Sequence, residues 1–476
     1  MAALQHIRLV CSNSRQLAAR TGQLVCQVNA LEVSERLVLS LRPSLLSQLS
    51  AETVSVWSRI CSDIYSGVSA NVILAFHECE DIAVDREIVV EGDSLETGAG
   101  VEPTRLYQHV VLGGTFDRLH PGHKILLSEA LLRCNTRLTV GVTAPALLTG
   151  KVLPELIQPL TERMDGVSMF VSAVRPQVER NIVEIADPFG PSIVLPELQC
   201  IVGSQETEKG CKAVNVKRAE SGLSQLDTVL ISMAEDSARL EGVEEEKISS
   251  SSGRIRLLGT RLRPALRDWE RESGPYLIGL TGGSASGKTS VGRRLAGLGW
   301  GVVDCDKLGH RAYTPGQPAY TSLVSQFGEQ ILAADGTVDR RVLGGIVFSD
   351  KEKLNLLNSI VWPEIQRMAL LEAEQLWKSD GCPVVVLDAA VLLEAGWEAS
   401  CHEVWVCVVP RQEAIVRIVA RDGKTEEEAA RRIDSQLSNK ERVERASTVF
   451  STLWAADFTQ RQVEAAVARL GSELAL

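Results

Sequence analysis

The sequence predicts an α/β protein in which parallel sheets are covered by helices. Short β-rich runs alternate with helical segments, two glycine-rich junctions join a strand to a helix, and capping boxes at Thr425-x-x-Glu428 and Thr459-x-x-Gln462 mark helix starts. We expect ligands beyond the carboxyl ends of the strands. The predicted strands are His109 to Gly113, Leu138 to Thr143, Cys200 to Gly203, Thr228 to Ser232, Leu277 to Thr281, Gly301 to Asp304, Val384 to Asp388 and Val404 to Val409.

Composition limits both the number of domains and the kind of partner. At 476 residues the chain exceeds the size at which one hydrophobic core usually stops growing, so two or three domains are expected. A hydrophobic content of 45% with 23% charged residues is typical of a soluble globular protein. The net charge of −11 argues against nucleic acid as a partner, so small anionic substrates must be held by local basic residues.

Cysteine usage and hydropathy indicate an intracellular protein without a transmembrane segment. The eleven cysteines form no C-x-x-C pair, which favours reduced and packed thiols, and no run of 18 apolar residues occurs. We expect a cytoplasmic location. The first 31 residues contain Arg8, Arg15 and Arg20 and no acidic residue, which is compatible with mitochondrial import, but an ordinary strand and helix between Leu4 and Val28 would look the same.

Two polar stretches divide the chain. Residues 91–103 collect glycine, serine and acidic residues without an apolar period, which is typical of a linker. A second polar stretch runs from Glu241 to Ser252 and continues as an arginine-rich segment to Arg271. The predicted parts are an N-terminal region of unknown role and uncertain fold with its linker at 1–104, a middle domain at 105–272 and a C-terminal domain at 273–476.

A complete P-loop sequence opens the C-terminal domain, directly behind the apolar run 276–280. Its glycines let the backbone turn and direct N–H groups at phosphates, Lys288 reaches the outer phosphates, and the Thr289 hydroxyl can bind Mg²⁺. A plain strand-to-helix turn is the alternative, but such a turn rarely ends in Gly-Lys-Thr. The pattern predicts a nucleotide-phosphate site made of Gly282, Gly283, Ser284, Ala285, Ser286, Gly287, Lys288 and Thr289.

The middle domain opens with a second phosphate-binding pattern. His120 and His123 flank Gly122 at the start of a predicted helix, where the helix dipole also favours anions. Such a pair of donors can stabilise charge that develops on an α-phosphate during nucleotidyl transfer. The short H-x-G-H pattern alone is weak, but a G-G-T-F-D run precedes it. That run is Gly113, Gly114, Thr115, Phe116 and Asp117.

With these residues the middle domain resembles the nucleotidyltransferase superfamily, and in particular the eukaryotic and archaeal type of phosphopantetheine adenylyltransferase. The resemblance implies a Rossmann-like fold with ATP and 4′-phosphopantetheine as substrates. It also implies that Lys151 binds phosphate and that Ser249, Ser250 and Ser251 belong to a loop that closes over ATP. Read alone, the serine run equally fits a flexible linker and Lys151 a solvated surface lysine. Further matches are Ser204 to Thr207, Asn215, Arg218, Ile248, and Arg254 or Arg256.

The C-terminal domain resembles dephospho-coenzyme A kinase, which implies a P-loop kinase fold. In this family Asp306 occupies the position of the base, and a carboxylate there can orient or deprotonate the attacking hydroxyl. Arg421 precedes the Thr425 capping box and is expected to reach the transferred phosphate as part of a lid. Further matches are Leu280 to Thr289, Val302 to Asp306, Leu308 to Arg311, Asp388 to Glu394, Asp422 and Gln436.

Two departures from the kinase pattern leave substrate contacts open. Trp362 stands before Pro363 where the bacterial kinases have a histidine, so a contact of that imidazole cannot be carried over. The Q-x-x-R pattern that begins at Gln436 ends in Asn439 and Lys440, which puts its phosphate contact in doubt. Neither departure changes the P-loop or Asp306.

The order of the two domains resembles the bifunctional coenzyme A synthases of animals. This resemblance implies transfer of AMP from ATP to 4′-phosphopantetheine, followed by phosphorylation of the ribose 3′-hydroxyl of dephospho-CoA, both with Mg²⁺. Another phosphorylated acceptor, such as nicotinamide mononucleotide, is an alternative. A regulatory switch is a second one, since Asp306 to Gly309 fits D-x-x-G, but Asn439-Lys440 does not complete N-K-x-D. No feature of the sequence predicts an oligomeric state.

Overall fold

The computed structural model describes residues 4–10, 21–29, 36–41, 54–67, 71–75, 86–89, 105–232, 236, 239–347 and 350–476. The chain forms two compact units, Met1–Arg254 and Ile255–Leu476. The linker predicted at 91–103 lies outside the described residues. Within the described ranges, no helix combines the length and the apolar character that crossing a bilayer requires.

The N-terminal region contains a parallel four-stranded sheet in the order β3-β2-β1-β4 among the described residues. Trp57, Ile60 and Leu74 of this region are fully buried in the same hydrophobic core as Leu127 and Val140 of the middle region. The N-terminal sheet is therefore packed onto the middle region within one unit. Its elements are β1 Leu4–Val10, α1 Thr21–Asn29, β2 Arg36–Leu41, α2 Val54–Gly67, β3 Asn71–Ala75 and β4 Arg86–Val89.

The middle region is a parallel five-stranded sheet in the order β7-β6-β5-β8-β9, with helices between the strands. The four predicted strands of this region are present, and an additional strand, β7, lies at one edge. The elements are β5 Tyr107–Gly114, α3 Pro121–Arg133, β6 Cys134–Thr143, α4 Leu160–Val174, β7 Glu179–Ile185, β8 Cys200–Ser204, α5 Glu208–Glu220, β9 Asp227–Ile231 and α6 Ser250–Ile255.

The C-terminal unit holds a second parallel five-stranded sheet, in the order β11-β12-β10-β13-β14. Every residue of β10, β12 and β13 is buried, which suits central strands covered by helices on both faces. The strands are β10 Tyr276–Gly282, β11 Gly301–Asp304, β12 Val384–Asp388, β13 Glu403–Val408 and β14 Thr448–Ser451. The helices are α7 Lys288–Gly297, α8 Cys305–Arg311, α9 Pro318–Phe327, α10 Arg340–Val347, α11 Lys351–Asp380, α12 Arg411–Asp422, α13 Glu426–Asp434, α14 Asn439–Val443 and α15 Ala456–Leu474.

These sheets confirm the predicted fold class, an α/β chain with a Rossmann-like nucleotidyltransferase region followed by a P-loop kinase region. The capping box at Thr425 is also confirmed, with both reciprocal hydrogen bonds to Glu428 present. The capping box predicted at Thr459 is wrong. Thr459 is buried inside α15, and the carboxamide of Gln462 instead bonds the backbone of Ser451 on β14.

A segment N-terminal to β10 packs along the edge of the C-terminal sheet. Leu262 N–H donates to Ser447 O at 2.7 Å, and Gly259 N–H donates to Val449 O at 2.9 Å. The Arg263 guanidinium donates to Val443 O at 2.7 Å and to Ala446 O at 2.9 Å. Residues 259–267, which we call the arm, thus form hydrogen bonds with the C-terminal sheet and the residues before it. The predicted domain boundary between residues 272 and 273 stays a prediction.

Candidate active sites

The P-loop is built at the junction of β10 and α7. β10 ends at Gly282, and α7 begins at Lys288 after a backbone that turns through left-handed conformations at Ala285 and Gly287, with φ of 61° and 86°. A Cβ on Gly287 would lie 2.5 Å from side-chain atoms of Thr452, so only glycine fits there. The backbone of this loop therefore turns tightly between strand and helix, as the glycine-rich sequence predicts.

Lys288 lies between two carboxylates. Its ammonium bonds Asp388 at the end of β12 and Asp306 Oδ2 at 3.1 Å in the first turn of α8. Burial lowers the pKa of Lys288, but the two carboxylates outweigh that effect and raise the pKa above its ordinary value. Lys288 is consequently held as a cation at the P-loop, and its contact with the outer phosphates of a nucleotide stays a prediction.

Asp306 is the more accessible of the two carboxylates. About half of its side chain is exposed, at 54%, whereas Asp388 is 7% exposed. Asp304 performs the capping role instead, because its side chain accepts from the N–H of Lys307 and caps α8. Asp306 is thereby left facing the cleft, where a hydroxyl group of a substrate can approach it.

The P-loop lines a cleft of about 660 Å³. Arg417 and Arg421 of α12, Arg432 of α13 and Gln436 line the same cleft. The guanidinium of Arg421 is paired with Asp422 in this structure, with N–O distances of 2.7 and 2.9 Å. Arg421 is thus at the cleft, as expected for a lid arginine, and its contact with phosphate stays a prediction.

Gln436, quoted for its family match, bonds the P-loop, and Arg442, which the sequence did not indicate, lies beside the loop. The Gln436 carboxamide accepts from Ser284 N–H at 2.9 Å, and therefore occupies a loop donor that a phosphate oxygen could use. Arg442 is 2% exposed, pairs with Glu394 at 3.2 Å and lies beside Gly283. Arg442 has no counterpart among the quoted family matches, and its place beside the P-loop is seen only in the fold.

The residues around the P-loop suit Mg²⁺ that arrives with a nucleotide. Thr289 is exposed at the start of α7, and Asp306 and Asp388 add hard oxygen donors. No group of three or more His, Cys, Asp and Glu side chains among the described residues is arranged to hold a metal ion alone. This arrangement fits a Mg²⁺ ion that takes most of its ligands from phosphates and water.

The G-G-T-F-D motif turns sharply after β5. Phe116 has a φ of 51°, its ring is buried at 1% exposure, and it packs 5.2 Å from the His123 ring. Asp117 is fully buried and pairs with Arg254 at 2.7 Å. Gly113 is exposed and Gly114 and Thr115 are half-buried, so these three residues are the accessible part of the motif.

His120 and His123 stack at the start of α3, with ring centroids 3.8 Å apart and planes inclined by 28°. Within the described part of the chain the Nδ1 atom of each ring has no hydrogen-bond partner. Burial lowers the pKa of His120 to about 4, and burial together with His120 lowers the pKa of His123. Two neutral imidazoles are thus held together with unused polar atoms, as a phosphate site would need.

The serine run lies against this motif rather than in a free linker. The Ser250 hydroxyl donates to Asp117 O at 3.2 Å, and Arg254 Nη2 donates to Ser251 Oγ at 3.3 Å. Ser249 Oγ accepts from Ser252 N–H at 3.2 Å. Lys151 is exposed in a turn, and its approach to ATP stays a prediction.

Several buried or half-buried side chains in the middle region form hydrogen bonds with backbone groups. Arg163 donates to Thr115 O at 2.7 Å and to Thr143 O at 2.9 Å, which fixes the loop after β5. Arg218, quoted for its family match, is fully buried and donates to Ser192 O and Ser224 O. Asn215 exchanges two hydrogen bonds with the backbone of Leu226. These matches have structural roles here.

Comparisons with known proteins assign both regions. Residues 276–452 match the family model described as dephospho-CoA kinase, and residues 111–256 match the model described as cytidylyltransferase-like. Among solved structures, the dephospho-CoA kinase from Campylobacter jejuni is 23% identical, covering 42% of this chain and 98% of its own, with a TM-score of 0.34.

Curated relatives agree with the kinase match. The dephospho-CoA kinase of Carboxydothermus hydrogenoformans is 40% identical over 187 residues, which are 39% of this chain and 90% of that protein. The enzyme of Geobacter sulfurreducens is 41% identical over 188 residues, which are 40% of this chain and 95% of that protein. The chain belongs to the dephospho-CoA kinase family through its C-terminal region and carries a cytidylyltransferase-like region upstream, an order that fits a fused adenylyltransferase and kinase.

Proposed function

We propose that the chain catalyses the last two steps of coenzyme A biosynthesis, in the cytoplasm or in association with mitochondria. The middle region joins 4′-phosphopantetheine to the AMP part of ATP and releases pyrophosphate. The C-terminal region then transfers the γ-phosphoryl group of a second ATP to the 3′-hydroxyl of dephospho-CoA. The observation that carries the proposal is the Lys288 ammonium held between Asp306 and Asp388 at a P-loop, in a chain of the dephospho-CoA kinase family.

The geometry of the P-loop cleft supports the proposed kinase step. Loop N–H groups and Lys288 bind the phosphates, and Asp306 accepts or orients the proton of the 3′-hydroxyl. The bond from the β–γ bridging oxygen to the γ-phosphorus breaks as the 3′-oxygen bonds to that phosphorus, and ADP leaves. Arg421, which lines the cleft, supplies positive charge near the transferred group, and Gln436 gives up Ser284 N–H to a phosphate oxygen.

Mg²⁺ has a place in this site through the oxygen donors described above. Thr289 would hold it together with the ATP phosphates, and bound Mg²⁺ would neutralise phosphate charge during transfer. The protein residues then position the reactants, since a loose phosphoryl transfer needs little covalent chemistry from the enzyme.

In the adenylyltransferase step, ATP would lie over Gly113, Gly114 and Thr115 beyond the end of β5. His120 and His123 donate hydrogen bonds to the α-phosphate region, where negative charge increases as the 4′-phosphate attacks and pyrophosphate leaves. Lys151 and the serine run contribute further donors around the phosphates. Support comes from the unpartnered Nδ1 atoms of both histidines and from the contact of Ser250 with Asp117.

The test is incubation of the protein with ATP, Mg²⁺ and 4′-phosphopantetheine, with mass analysis of the products over time. The proposal expects dephospho-CoA and pyrophosphate first, then CoA and ADP. If CoA formed only when dephospho-CoA was supplied, the proposed kinase activity would stand and the proposed adenylyltransferase activity would be refuted.

The cytidylyltransferase-like match favours one specific alternative for the middle region, namely another nucleotide or another phosphorylated acceptor. Parallel reactions with CTP in place of ATP, and with nicotinamide mononucleotide in place of 4′-phosphopantetheine, distinguish these activities. If the reaction with either substitute were faster than the reaction of ATP with 4′-phosphopantetheine, that substrate would replace the one we propose.

A further inference from the structure

A second cleft lies on the C-terminal unit, apart from the P-loop. Its volume is about 540 Å³, and it is lined by residues at the end of α8 and just after it, and by residues just before and at the start of α10. The lining side chains that matter here are His310, Tyr313, Thr314, Asp339, Arg340 and Arg341.

The lining is basic in a chain of net charge −11. Arg340 and Arg341 are exposed, and no ion pair of either with a carboxylate is found in the part of the chain that the structure describes. The Arg340 guanidinium lies 5.9 Å from the Tyr313 ring centroid, a distance suited to a cation–π contact.

The carboxylate of Asp339 also lines the cleft, but it is already engaged. Its Oδ1 atom accepts from Arg341 N–H at 2.8 Å and from Val342 N–H at 3.2 Å. Asp339 keeps its negative charge, but the two guanidinium groups outnumber it, so the lining stays net positive. Guanidinium groups bind phosphate oxygens in a paired, planar geometry.

Helix α8 connects this cleft to the P-loop site. Asp306 and His310 are four residues apart on α8, so they lie on one face of the helix with Cβ atoms about 6 Å apart. Asp306 lines the P-loop cleft and His310 lines the second cleft. A molecule whose hydroxyl meets Asp306 can thus extend along α8 towards Arg340.

We propose that the second cleft binds the diphosphate arm of the acceptor alcohol. The inference rests on the proposed kinase function, because it takes Asp306 as the residue that meets the acceptor hydroxyl. The ribose 3′-hydroxyl lies at Asp306, and the 5′-diphosphate lies against Arg340 and Arg341. The cleft thereby selects an acceptor that carries a diphosphate over a nucleoside that lacks one.

Steady-state kinetics of the full chain test this assignment. Arg340→Ala removes a charge-assisted hydrogen bond made in both the ground state and the transition state. The KM for dephospho-CoA should therefore rise about 10- to 100-fold, with kcat and the KM for ATP unchanged. Arg340→Lys should recover part of the loss. Arg461→Ala, an exposed arginine on α15 outside both clefts, serves as the matched control.

Adenosine gives a second readout, since it has the 3′-hydroxyl without the diphosphate. The preference of the wild type for dephospho-CoA over adenosine should shrink in Arg340→Ala by the same factor as the change in KM. An unchanged KM for dephospho-CoA in both Arg340→Ala and Arg341→Ala would overturn the proposal, and so would a raised KM for ATP. A wild type that forms no CoA from dephospho-CoA would refute the kinase function itself, and the cleft assignment with it.

Discussion

At the scale of single residues, the two sites hold their charged groups in different ways. The kinase site holds a cation, Lys288, between carboxylates that phosphates can replace as partners. The middle region instead holds two half-buried imidazoles whose lowered pKa values keep them neutral near pH 7. The first arrangement suits a P-loop that receives a polyanion, and the second suits donors aimed at one phosphate.

Asp306→Asn removes the proton acceptor and keeps the shape of the side chain. Phosphoryl transfer to dephospho-CoA should fall about 10²- to 10⁴-fold, while ATP still binds, because the loop donors and Lys288 are unchanged. Turnover and ATP binding measured on the same preparation check this. Asp304→Asn is the control, since asparagine can still cap α8 and activity should stay near that of the wild type. Near-normal turnover of Asp306→Asn would remove Asp306 from the mechanism.

His123→Ala removes one donor of the stacked pair. Adenylyl transfer should fall about 10²- to 10³-fold, as expected for loss of a preorganised donor, and kinase activity on supplied dephospho-CoA should survive. Pyrophosphate release gives the first rate and CoA formation the second. Pyrophosphate release at the wild-type rate would show that His123 has no part in the transfer.

Acid should lower the free energy of unfolding of the unit Met1–Arg254 through protonation of His120 in the unfolded chain. In the folded protein the pKa of His120 is lowered from the ordinary value of 6.5 to about 4, so between these values the unfolded chain binds more protons than the folded one. The free energy of unfolding therefore falls as the pH falls through this window and is fully retained above it. Urea unfolding of wild type and His120→Gln at pH 7.5 and pH 5 measures the effect, and the variant should lose less stability. Equal losses would contradict a half-buried, neutral His120.

At the scale of secondary-structure elements, the length and apolar character of a run decided which strands the sequence could reveal. The fully buried runs of β10 and β12 stand out as apolar segments and were predicted within a residue of their bounds. β7 is a largely exposed edge strand with charged residues, and β14 has only four residues, two of them hydroxylated, so neither shows a clear apolar run. The N-terminal region was assigned no fold from the sequence, but the strand and helix considered between Leu4 and Val28 are present as β1 and α1.

Site residues could likewise be predicted only where a local sequence pattern marks them. Lys288 and Asp306 were predicted from motifs and do meet in the structure. Asp388 ends a strand that was predicted. Pairing that strand with β10 in a parallel sheet would have placed Asp388 beside Lys288, because the carboxyl ends of neighbouring parallel strands lie together. Arg163 and Arg442 carry no local pattern, because their partners are distant backbone and side-chain atoms.

The arm at 259–267 should contribute to the stability of the kinase unit. Arg263→Ala removes two hydrogen bonds, to Val443 O at the end of α14 and to the buried Ala446 O, while Val443 O keeps its bond from Ala446 N–H. The unfolding free energy should fall by about 2–3 kcal/mol, which thermal unfolding of the full chain detects. Arg461→Ala should change it by less than about 0.5 kcal/mol. Equal midpoints for the two variants would show that the arm does not support this unit.

At the scale of the whole molecule, each phosphate motif is complete within its own unit. The residues from Gly113 to His123 and the serine run belong to Met1–Arg254, whereas the P-loop, Asp306 and Asp388 belong to Ile255–Leu476. The two proposed reactions therefore have separate groups for binding ATP. This separation is the central claim, and a change in one unit should leave the chemistry of the other unit intact.

The most direct test is the product distribution of Lys288→Ala given 4′-phosphopantetheine and excess ATP with Mg²⁺. Without Lys288 the P-loop loses its fixed cation, and backbone N–H groups alone only partly neutralise the outer phosphates. We predict that dephospho-CoA accumulates with one pyrophosphate released per molecule and that little CoA forms. Loss of both activities in a folded variant would contradict separate sites, and CoA formation at the wild-type rate would show that the P-loop is not the kinase centre.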